Sequence, residues 1–260
     1  MKLTGKIILR GQGLHSGQEC ELTIEPCDSP EVLMNGQPLR KLSLSGTNRG
    51  SDYIFPDGSR VRTCEHVLSA LSGLGFWSGV NITVNGGEMP ALDGCSNTLC
   101  GELMKNCEPS SVITKNISAP VIVSSDDRKR FVAAFPSDTL HITYTVEYKY
   151  IGTQIIDYGH SHEKYFAEIS GARTFAMLSD IEYLRSHGMA LGGNLDNAIV
   201  VGEKIQAAGG LRWPDEFVRH KVLDLMGDLA AVGCPVNAHI IAVRAGHELH
   251  LKLAEKLRGE

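Results

Sequence analysis

The spacing of apolar residues predicts several amphipathic helices along the chain. In residues 63–75 one helical face would be formed by Val67, Leu68, Leu71 and Leu74, and the pattern ends at Gly75. A second helix is expected over 217–228, with an apolar face made by Phe217, Val222, Leu225 and Met226 and continued by Leu229. Further helices are predicted in CSNTLCGELMKN, SDIEYLRSHGM and HELHLKLAEKLRGE.

Extended stretches come before the helices twice, and this order predicts the fold class. The stretch KIILRGQGLHSGQECELTIEP predicts a hairpin, and GVNITVNGG, VIVSS, RFVAAFP, LHITYTVEY and NAHIIAVRAG predict strands. Residues 107–120 are polar without clear periodicity, so we expect a domain boundary there. The pattern predicts an α+β fold of two domains, residues 1–112 and 113–260, rather than a doubly wound sheet.

The composition is that of an ordinary globular protein. The 260 residues include 42% hydrophobic and 21% charged side chains. No run of about 18 apolar residues occurs, so we expect no membrane span, and MKLTGKIILRGQG lacks the apolar segment of a signal peptide. We therefore expect a cytoplasmic protein. With a net charge of −5 and no basic tract, nucleic acid is not an expected partner, although a few Lys and Arg could bind a phosphate-bearing ligand.

The cysteines do not form a recognisable framework. There are seven, an odd number, and no C-x-x-C pair occurs among them. This pattern favours neither a set of disulfides nor a cysteine zinc cluster. We expect them to be reduced and to serve mainly as packing residues.

The predicted helix over 217–228 carries polar residues in one line. His220, Asp224 and Asp228 recur every four residues, so their side chains lie on one side of the helix. A His/Asp pair at this spacing is compatible with a helical ion pair, worth about 0.3–0.5 kcal/mol. It is also compatible with two ligands of one metal ion, and spacing alone leaves both interpretations open.

The stretch RTCEHVLSAL places two chemically active side chains at the start of the other helix. Glu65 and His66 fall in its first turn, and Thr63 is the predicted N-cap. If this helix end faces a cleft, His66 is a third metal ligand and Glu65 a base acting on metal-activated water. The helix N-terminus should favour ionised Glu65. The alternative is a capping carboxylate beside a partly buried histidine.

A third histidine, His247, follows Gly246 where a predicted strand passes into a helix. Such strand ends often carry chemistry, although a histidine that only starts a helix would look the same. Two histidines and one carboxylate with an open fourth position form a catalytic zinc pattern, which the facial triad of non-haem iron also shares. A separate base and a separate histidine acid favour hydrolysis, with a ferrous oxygenase as the alternative.

Two further motifs receive no functional role. GQGLHSG places its third glycine, Gly17, one position late for a dinucleotide-binding fingerprint, and a strand follows it instead of a helix. His160 and His162 have a spacing that could chelate a metal from a strand. Their polar flanks in YGHSHEKYFAEIS predict a solvated loop instead.

Six stretches, in this order along the chain, resemble the UDP-3-O-acyl-N-acetylglucosamine deacetylase family: GQGLHSG, RTCEHVLSALSGLG, EMPALDGCS, ARTFAMLSDIEYLRSHGMALGGNLDNAIVV, GGLRWPDEFVRHKVLDLMGDLAAVG and VRAGHELHLKL. The resemblance spans most of residues 5–253 and is densest in 171–233. It implies two similar domains, each a β-sheet layered against two helices, with the active site at the domain junction. It also implies a zinc amidase that releases acetate from an acylated UDP-sugar, committing it to lipid A biosynthesis.

The resemblance implies a metal centre and a pair of acid/base residues. The implied zinc ligands are His66, His220 and Asp224. Glu65 is the implied general base, and His247 is the implied general acid. A base and an acid in one site predict a bell-shaped pH profile.

Other matching residues are implied to contact the substrate or to orient the acid. Asp228 is the implied orienting carboxylate of His247. Thr174 is implied to hold the amide oxygen or its oxyanion, and Lys221 to meet the developing charge. The residues expected along the sugar, acyl and diphosphate parts of the substrate are Leu14, Ser51, Phe175, Met177 and Arg244.

The chain departs from the family pattern at a few positions. Members of the family usually have Asp-Asn after GLGI, and this chain has FWSG at residues 76–79 instead. Ala176 stands where glycine is usual, and Ser179 stands where arginine is usual. These changes bear on acyl-chain preference and substrate fit. The alternatives are a metalloamidase for another N-acetyl sugar and a catalytically silent relative that binds UDP-sugars. We expect one zinc ion, with Fe²⁺ as the alternative, and a monomer.

Overall fold

The computed structural model describes residues 1–47 and 49–259. The strands of the first part of the chain are β1 Lys2–Leu3, β2 Ile7–Gln12, β3 Glu19–Pro26, β4 Val32–Met34, β5 Gln37–Pro38, β6 Ser43–Thr47, β7 Gly50–Ile54, β8 Arg60–Val61, β9 Val80–Asn85 and β10 Cys107–Glu108. They form a five-stranded sheet in the order β2-β3-β9-β4-β5, a three-stranded sheet β6-β7-β8, and the pair β1-β10. The hairpin expected near the N-terminus is confirmed, since β2 and β3 pair antiparallel.

The second part of the chain builds a larger sheet. Its strands are β11 Lys115–Asn116, β12 Val121–Ser124, β13 Phe131–Pro136, β14 His141–Tyr148, β15 Gly152–Gly159, β16 Phe175–Met177, β17 Ile199–Val201, β18 Ile205–Gln206 and β19 Val236–Val243. The main sheet has the order β12-β13-β19-β14-β15, with β11 paired to β19, and β16-β17-β18 form a separate small sheet. Side chains of β19 alternate between buried and partly exposed, because successive residues of a strand point to opposite faces.

Six α-helices complete the described part of the chain: α1 Glu65–Gly73, α2 Asn97–Lys105, α3 His162–Lys164, α4 Leu178–Ser186, α5 Glu216–Leu229 and α6 His247–Gly259. The central helix is α5, in which every side chain except Arg219 and Lys221 is buried. It packs against α1, α6 and the strand β14. The His/Asp line of α5 therefore lies inside the protein rather than along a solvated face.

A close approach of two helices sets the position of the first turn of α1. A Cβ atom at Gly227 of α5 would lie 2.0 Å from the carbonyl oxygen of Glu65. Only glycine lets the backbone of α1 come so near, at a position where glycine normally weakens a helix by about 1 kcal/mol relative to alanine. The contact brings Glu65 and His66 against the His/Asp line of α5.

The structure confirms the α+β class with several sheets and helices. One cluster of buried apolar side chains includes residues from both parts of the chain, among them Leu22, Val222 and Ile240. The boundary at residues 112 and 113 stays a prediction. None of the described helices is long and apolar enough to cross a membrane.

Two local predictions are wrong. Thr63 does not cap α1: it has a φ of 57°, and its hydroxyl donates to the buried carboxylate of Glu88 over 3.1 Å. The N-cap position is Cys64, which makes no side-chain capping bond. The segment after β15 is helical rather than a loop, because Ser161 caps α3 and buried Tyr165 starts a π-helical turn, Tyr165–Ile169.

The contact at Gly227 generates a stability prediction. The variant Gly227→Ala should unfold more easily by about 1–3 kcal/mol, because its methyl group overlaps the backbone of α1 and the helices must separate. The matched control is Gly101→Ala in α2, where an added Cβ meets nothing within 4 Å. That control should be neutral or more stable by up to about 1 kcal/mol. Urea unfolding of both variants with chelator present makes the comparison, and equal stability of the two would contradict the packing argument.

Candidate active site

Side chains from α1 and α5 converge on one point. One ligand atom from each of His66, His220 and Asp224 lies within 4.8 Å of the others. The two imidazoles meet edge to face, with ring centroids 5.1 Å apart. His66 is on the first turn of α1, whereas His220 and Asp224 are one turn apart on α5, so the cluster exists only because these two helices are in contact.

The hydrogen bonds in this cluster show that a cation would fit it. The Nδ1 of His220 donates to the carbonyl oxygen of Ala172 over 3.0 Å, which leaves Nε2 as an acceptor. That Nε2 lies 3.2 Å from the Oδ1 of Asp224. Asp224 Oδ1 is buried and has no hydrogen-bond partner among the described residues. Two acceptors facing each other without a donor between them provide a site that suits a positive ion.

The second oxygen of Asp224 is occupied by Lys221. The ammonium of Lys221 donates to Asp224 Oδ2 over 2.6 Å and lies 5.5 Å from the ring centre of Phe175. Burial opposes the charge of Asp224, but the positive charges around it, with Lys221 at hydrogen-bond distance, hold the pKa of this carboxyl well below its usual range. Asp224 is therefore a carboxylate, with one oxygen turned to the imidazoles.

Glu65 stands next to the cluster at the start of α1. Its side chain is buried, and its Oε2 accepts the backbone N–H of Ser51 over 2.9 Å. Burial raises the pKa of Glu65 to about 7, against the opposing charge of His247. Burial thus outweighs the effect of the helix N-terminus, which was expected to favour the ionised form of Glu65.

His247 begins α6 and faces the same point from a third direction. Its Nδ1 lies 2.9 Å from Asp228 Oδ2, and its Nε2 lies 3.7 Å from Asp224 Oδ2. Burial opposes a charge on this imidazole, but Asp228, Asp224 and Glu65 together raise the pKa of His247 to about 9. A buried carboxyl and a buried imidazole, with pKa values shifted in the same direction, therefore flank the cluster formed by His66, His220 and Asp224.

These groups lie at a cavity of about 520 Å³. Much of its lining is apolar and includes Ile181, Leu184, Leu195, Ala198 and Val200. Ten of the residues expected at the site line it: Leu14, Glu65, His66, Thr174, Phe175, Met177, His220, Lys221, Asp224 and His247. A cavity that combines these polar groups with an extensive apolar lining suits an amphipathic ligand.

Three of the expected site residues are not at the cavity surface. Asp228 contacts His247, and Ser51 is buried with its hydroxyl donating to Asp228 Oδ1. Arg244 is also outside the lining. Its guanidinium is half-exposed and pairs with Glu147 over 3.2 Å.

Sequence reasoning missed several residues of this region. His15, Arg49 and Tyr148 line the cavity, although His15 belongs to the quoted motif GQGLHSG. His250 was treated only as part of a helix, yet its Nδ1 lies 2.8 Å from Asp228. Its spacing from His247, three residues on a helix, was the available signal.

A second group of potential metal ligands lies elsewhere, on neighbouring strands of the main sheet. His141, Asp157 and His239 come within 4.8 Å of one another. The Nε2 of His141 pairs with Asp157 over 2.6 Å, and His239 is hydrogen-bonded to Thr143. These side chains are partly exposed and contact one another directly, so a cross-strand hydrogen-bonded cluster accounts for them.

Comparison with known proteins agrees over nearly the whole chain. A family model described as LpxC, UDP-3-O-acyl N-acetylglycosamine deacetylase, matches residues 1–259. Relatives named UDP-3-O-acyl-N-acetylglucosamine deacetylase from Thermosynechococcus vestitus, Aquifex aeolicus and Synechocystis sp. are 34%, 36% and 35% identical. The alignments cover 98%, 97% and 96% of this chain, and 92%, 90% and 95% of those relatives. A match of this extent, with the quoted motifs gathered at one cavity, means that the chain belongs to the UDP-3-O-acyl-N-acetylglucosamine deacetylase family.

Proposed function

We propose that this chain hydrolyses the acetamide of UDP-3-O-acyl-N-acetylglucosamine and releases acetate, the committed step of lipid A biosynthesis. The observation that carries the proposal is the buried pair of acceptors, His220 Nε2 and Asp224 Oδ1, at the polar end of an apolar-walled cavity. The names of the relatives support the choice of substrate.

His66, His220 and Asp224 are the proposed ligands of a divalent cation. Two imidazoles and a carboxylate leave a fourth position open, which is typical of catalytic zinc. When bound, such an ion would acidify water and polarise the amide carbonyl. Zinc is the proposed metal, with Fe²⁺ as the alternative. Metal analysis of protein purified with and without oxygen distinguishes the two, because ferrous iron is lost or oxidised in air.

Glu65 is the proposed general base. It lines the cavity next to His66 and is shielded from bulk solvent. A carboxyl whose pKa is near 7 takes a proton from the attacking water more readily than an exposed glutamate does. The water oxygen bonds to the acetyl carbon as Glu65 receives this proton.

His247 is the proposed general acid. Its raised pKa keeps the imidazole protonated at neutral pH. It donates that proton to the sugar nitrogen as the carbon–nitrogen bond breaks, since an unprotonated amide nitrogen is a poor leaving group. Asp228 holds the opposite ring nitrogen and so aims the proton at the cavity.

Thr174 and Lys221 supply the remaining polar contacts. Both line the cavity, and we assign the Thr174 hydroxyl as a hydrogen-bond donor to the amide oxygen as negative charge develops on it. Lys221 keeps its positive charge because the attraction of Asp224 exceeds the effect of burial, and its pKa is raised. The positive charge of Lys221 therefore also stabilises the negative charge that develops on the amide oxygen.

The acyl chain is proposed to occupy the apolar wall. Leu14, Phe175 and Met177 are parts of the cavity lining, and they are the proposed contacts of the sugar and the first part of the chain. Ala176 lies among them, where the family usually has glycine, and its methyl group takes space from the ligand. This residue is therefore a proposed determinant of substrate fit.

The cellular setting follows from the same proposal. All seven cysteines are free, which suits the reducing cytoplasm, where UDP-sugars are made. We propose a cytoplasmic monomer. The protein would act on a small-molecule substrate and not on nucleic acid, in keeping with its net charge of −5.

The activity itself is the first test. The metal-loaded protein should release acetate from UDP-3-O-acyl-N-acetylglucosamine, and a chelator should abolish this release until the metal is restored. UDP-N-acetylglucosamine without the acyl chain is the matched control, and it should react much more slowly because it leaves the apolar wall unfilled. Absence of chelator-sensitive acetate release would reject the proposed function.

A pair of variants separates the base from the ligands. Glu65→Gln should bind metal as the wild type does but lose about 10²–10⁴-fold in kcat, because the amide cannot accept the proton from water. Asp224→Ala should lose the metal, since it removes the oxygen that faces His220. Metal content and acetate release are measured on both. The role assignments are wrong if Glu65→Gln loses its metal or Asp224→Ala keeps it.

A further inference from the structure

Asp228 holds a second histidine besides His247. His250 lies one turn further along α6 and is fully buried. The Nδ1 atoms of His247 and His250 lie 2.9 and 2.8 Å from the same oxygen, Asp228 Oδ2. The other oxygen, Oδ1, accepts from the hydroxyl of Ser51. Both oxygens of this carboxylate are therefore fixed by donors.

Hydrogen-bond chemistry determines which ring nitrogens carry protons. An ionised carboxylate can only accept, so both histidines must donate from Nδ1. For His247 this turns Nε2 away from Asp228, toward the cavity and Asp224. The ring of His250 does not line the cavity, so any effect on the substrate must pass through Asp228.

Tyr144 holds the far side of the His250 ring. Its hydroxyl lies 2.9 Å from His250 Nε2 and 2.9 Å from the carbonyl oxygen of Ala245. Tyr144 is fully buried on β14, a strand in the interior of the main sheet. The chain of contacts therefore runs from a rigid strand through His250 to Asp228 and then to His247.

We propose that His250 is a positioning residue for the general acid: it locks the Asp228 carboxylate in the orientation that accepts from His247. This inference rests on the proposed function, in which His247 delivers a proton. Without the His250 donor, the carboxylate keeps Ser51 and His247 as donors but loses the contact that joins it to the main sheet. The Asp228 side chain then turns more freely, and His247 is aimed less well.

Two substitutions distinguish positioning from packing. His250→Asn keeps an N–H near the place of Nδ1, whereas His250→Leu fills similar space without a donor. The leucine variant should lose about 10–100-fold in kcat, the range seen when outer-shell partners are removed, with KM changed less than twofold. The asparagine variant should recover most of that loss. Metal content and thermal midpoint are measured on both variants as controls.

A double variant tests whether His250 acts on His247 through Asp228. In an Asp228→Asn background, His250→Leu should lower kcat by less than a further twofold, because the group it acts through is already altered. The proposal is overturned if the two losses multiply, if the asparagine and leucine variants lose kcat equally, or if His250→Leu keeps wild-type kcat.

A crystal structure of His250→Leu tests the positioning role without an activity measurement, so the result does not depend on the proposed function. The Asp228 carboxylate should rotate, and its bond to His247 Nδ1 should lengthen beyond hydrogen-bond range in part of the molecules. An unchanged Asp228–His247 bond would overturn the positioning role even if the wild type proved inactive on the proposed substrate. An inactive wild type with the rotated carboxylate would reject only the proposed function.

Discussion

The site depends on the contact between α1 and α5 at Gly227. A side chain at that position would overlap the backbone of Glu65, so the glycine sets how near the two helices lie. That distance decides whether His66 reaches the same point as His220 and Asp224. It also sets Glu65 beside them, in a place dry enough to raise its pKa to about 7.

Two carboxylates one turn apart on α5 have opposite surroundings, and this difference assigns their tasks. Both oxygens of Asp228 accept hydrogen bonds, from Ser51, His247 and His250. Asp224 accepts from Lys221 on one oxygen and has no hydrogen bond within the described structure on the other. Asp228 is therefore suited to orient an imidazole, and Asp224 to bind a cation.

Local patterns in the sequence predicted the secondary structure well and the site only in part. The sequence pattern predicted α1, α5 and the strands β2, β3, β9, β12, β13, β14 and β19, but not β15, the edge strand of the main sheet. The spacing of His220 and Asp224 indicated a pair on one face. Nothing in the spacing could place His66 near α5, because that closeness comes from packing at Gly227. Only the resemblance to a family predicted that His66 lies near α5. The predicted cap at Thr63 is wrong because its hydroxyl donates to Glu88, a carboxylate distant in the sequence. The pattern gave no role to His250 because its partners, Asp228 and Tyr144, lie on α5 and β14.

The proposed metal centre joins two imidazoles and one carboxylate from α1 and α5. X-ray absorption spectroscopy at the zinc edge, on protein loaded with one equivalent of zinc, identifies the atoms that bind the ion. If His66, His220 and Asp224 are its ligands, the spectrum should show nitrogen and oxygen alone at about 2.0–2.1 Å, with the multiple scattering of two histidines. A sulfur shell at about 2.3 Å would instead place the metal on the free cysteines and rule out this centre.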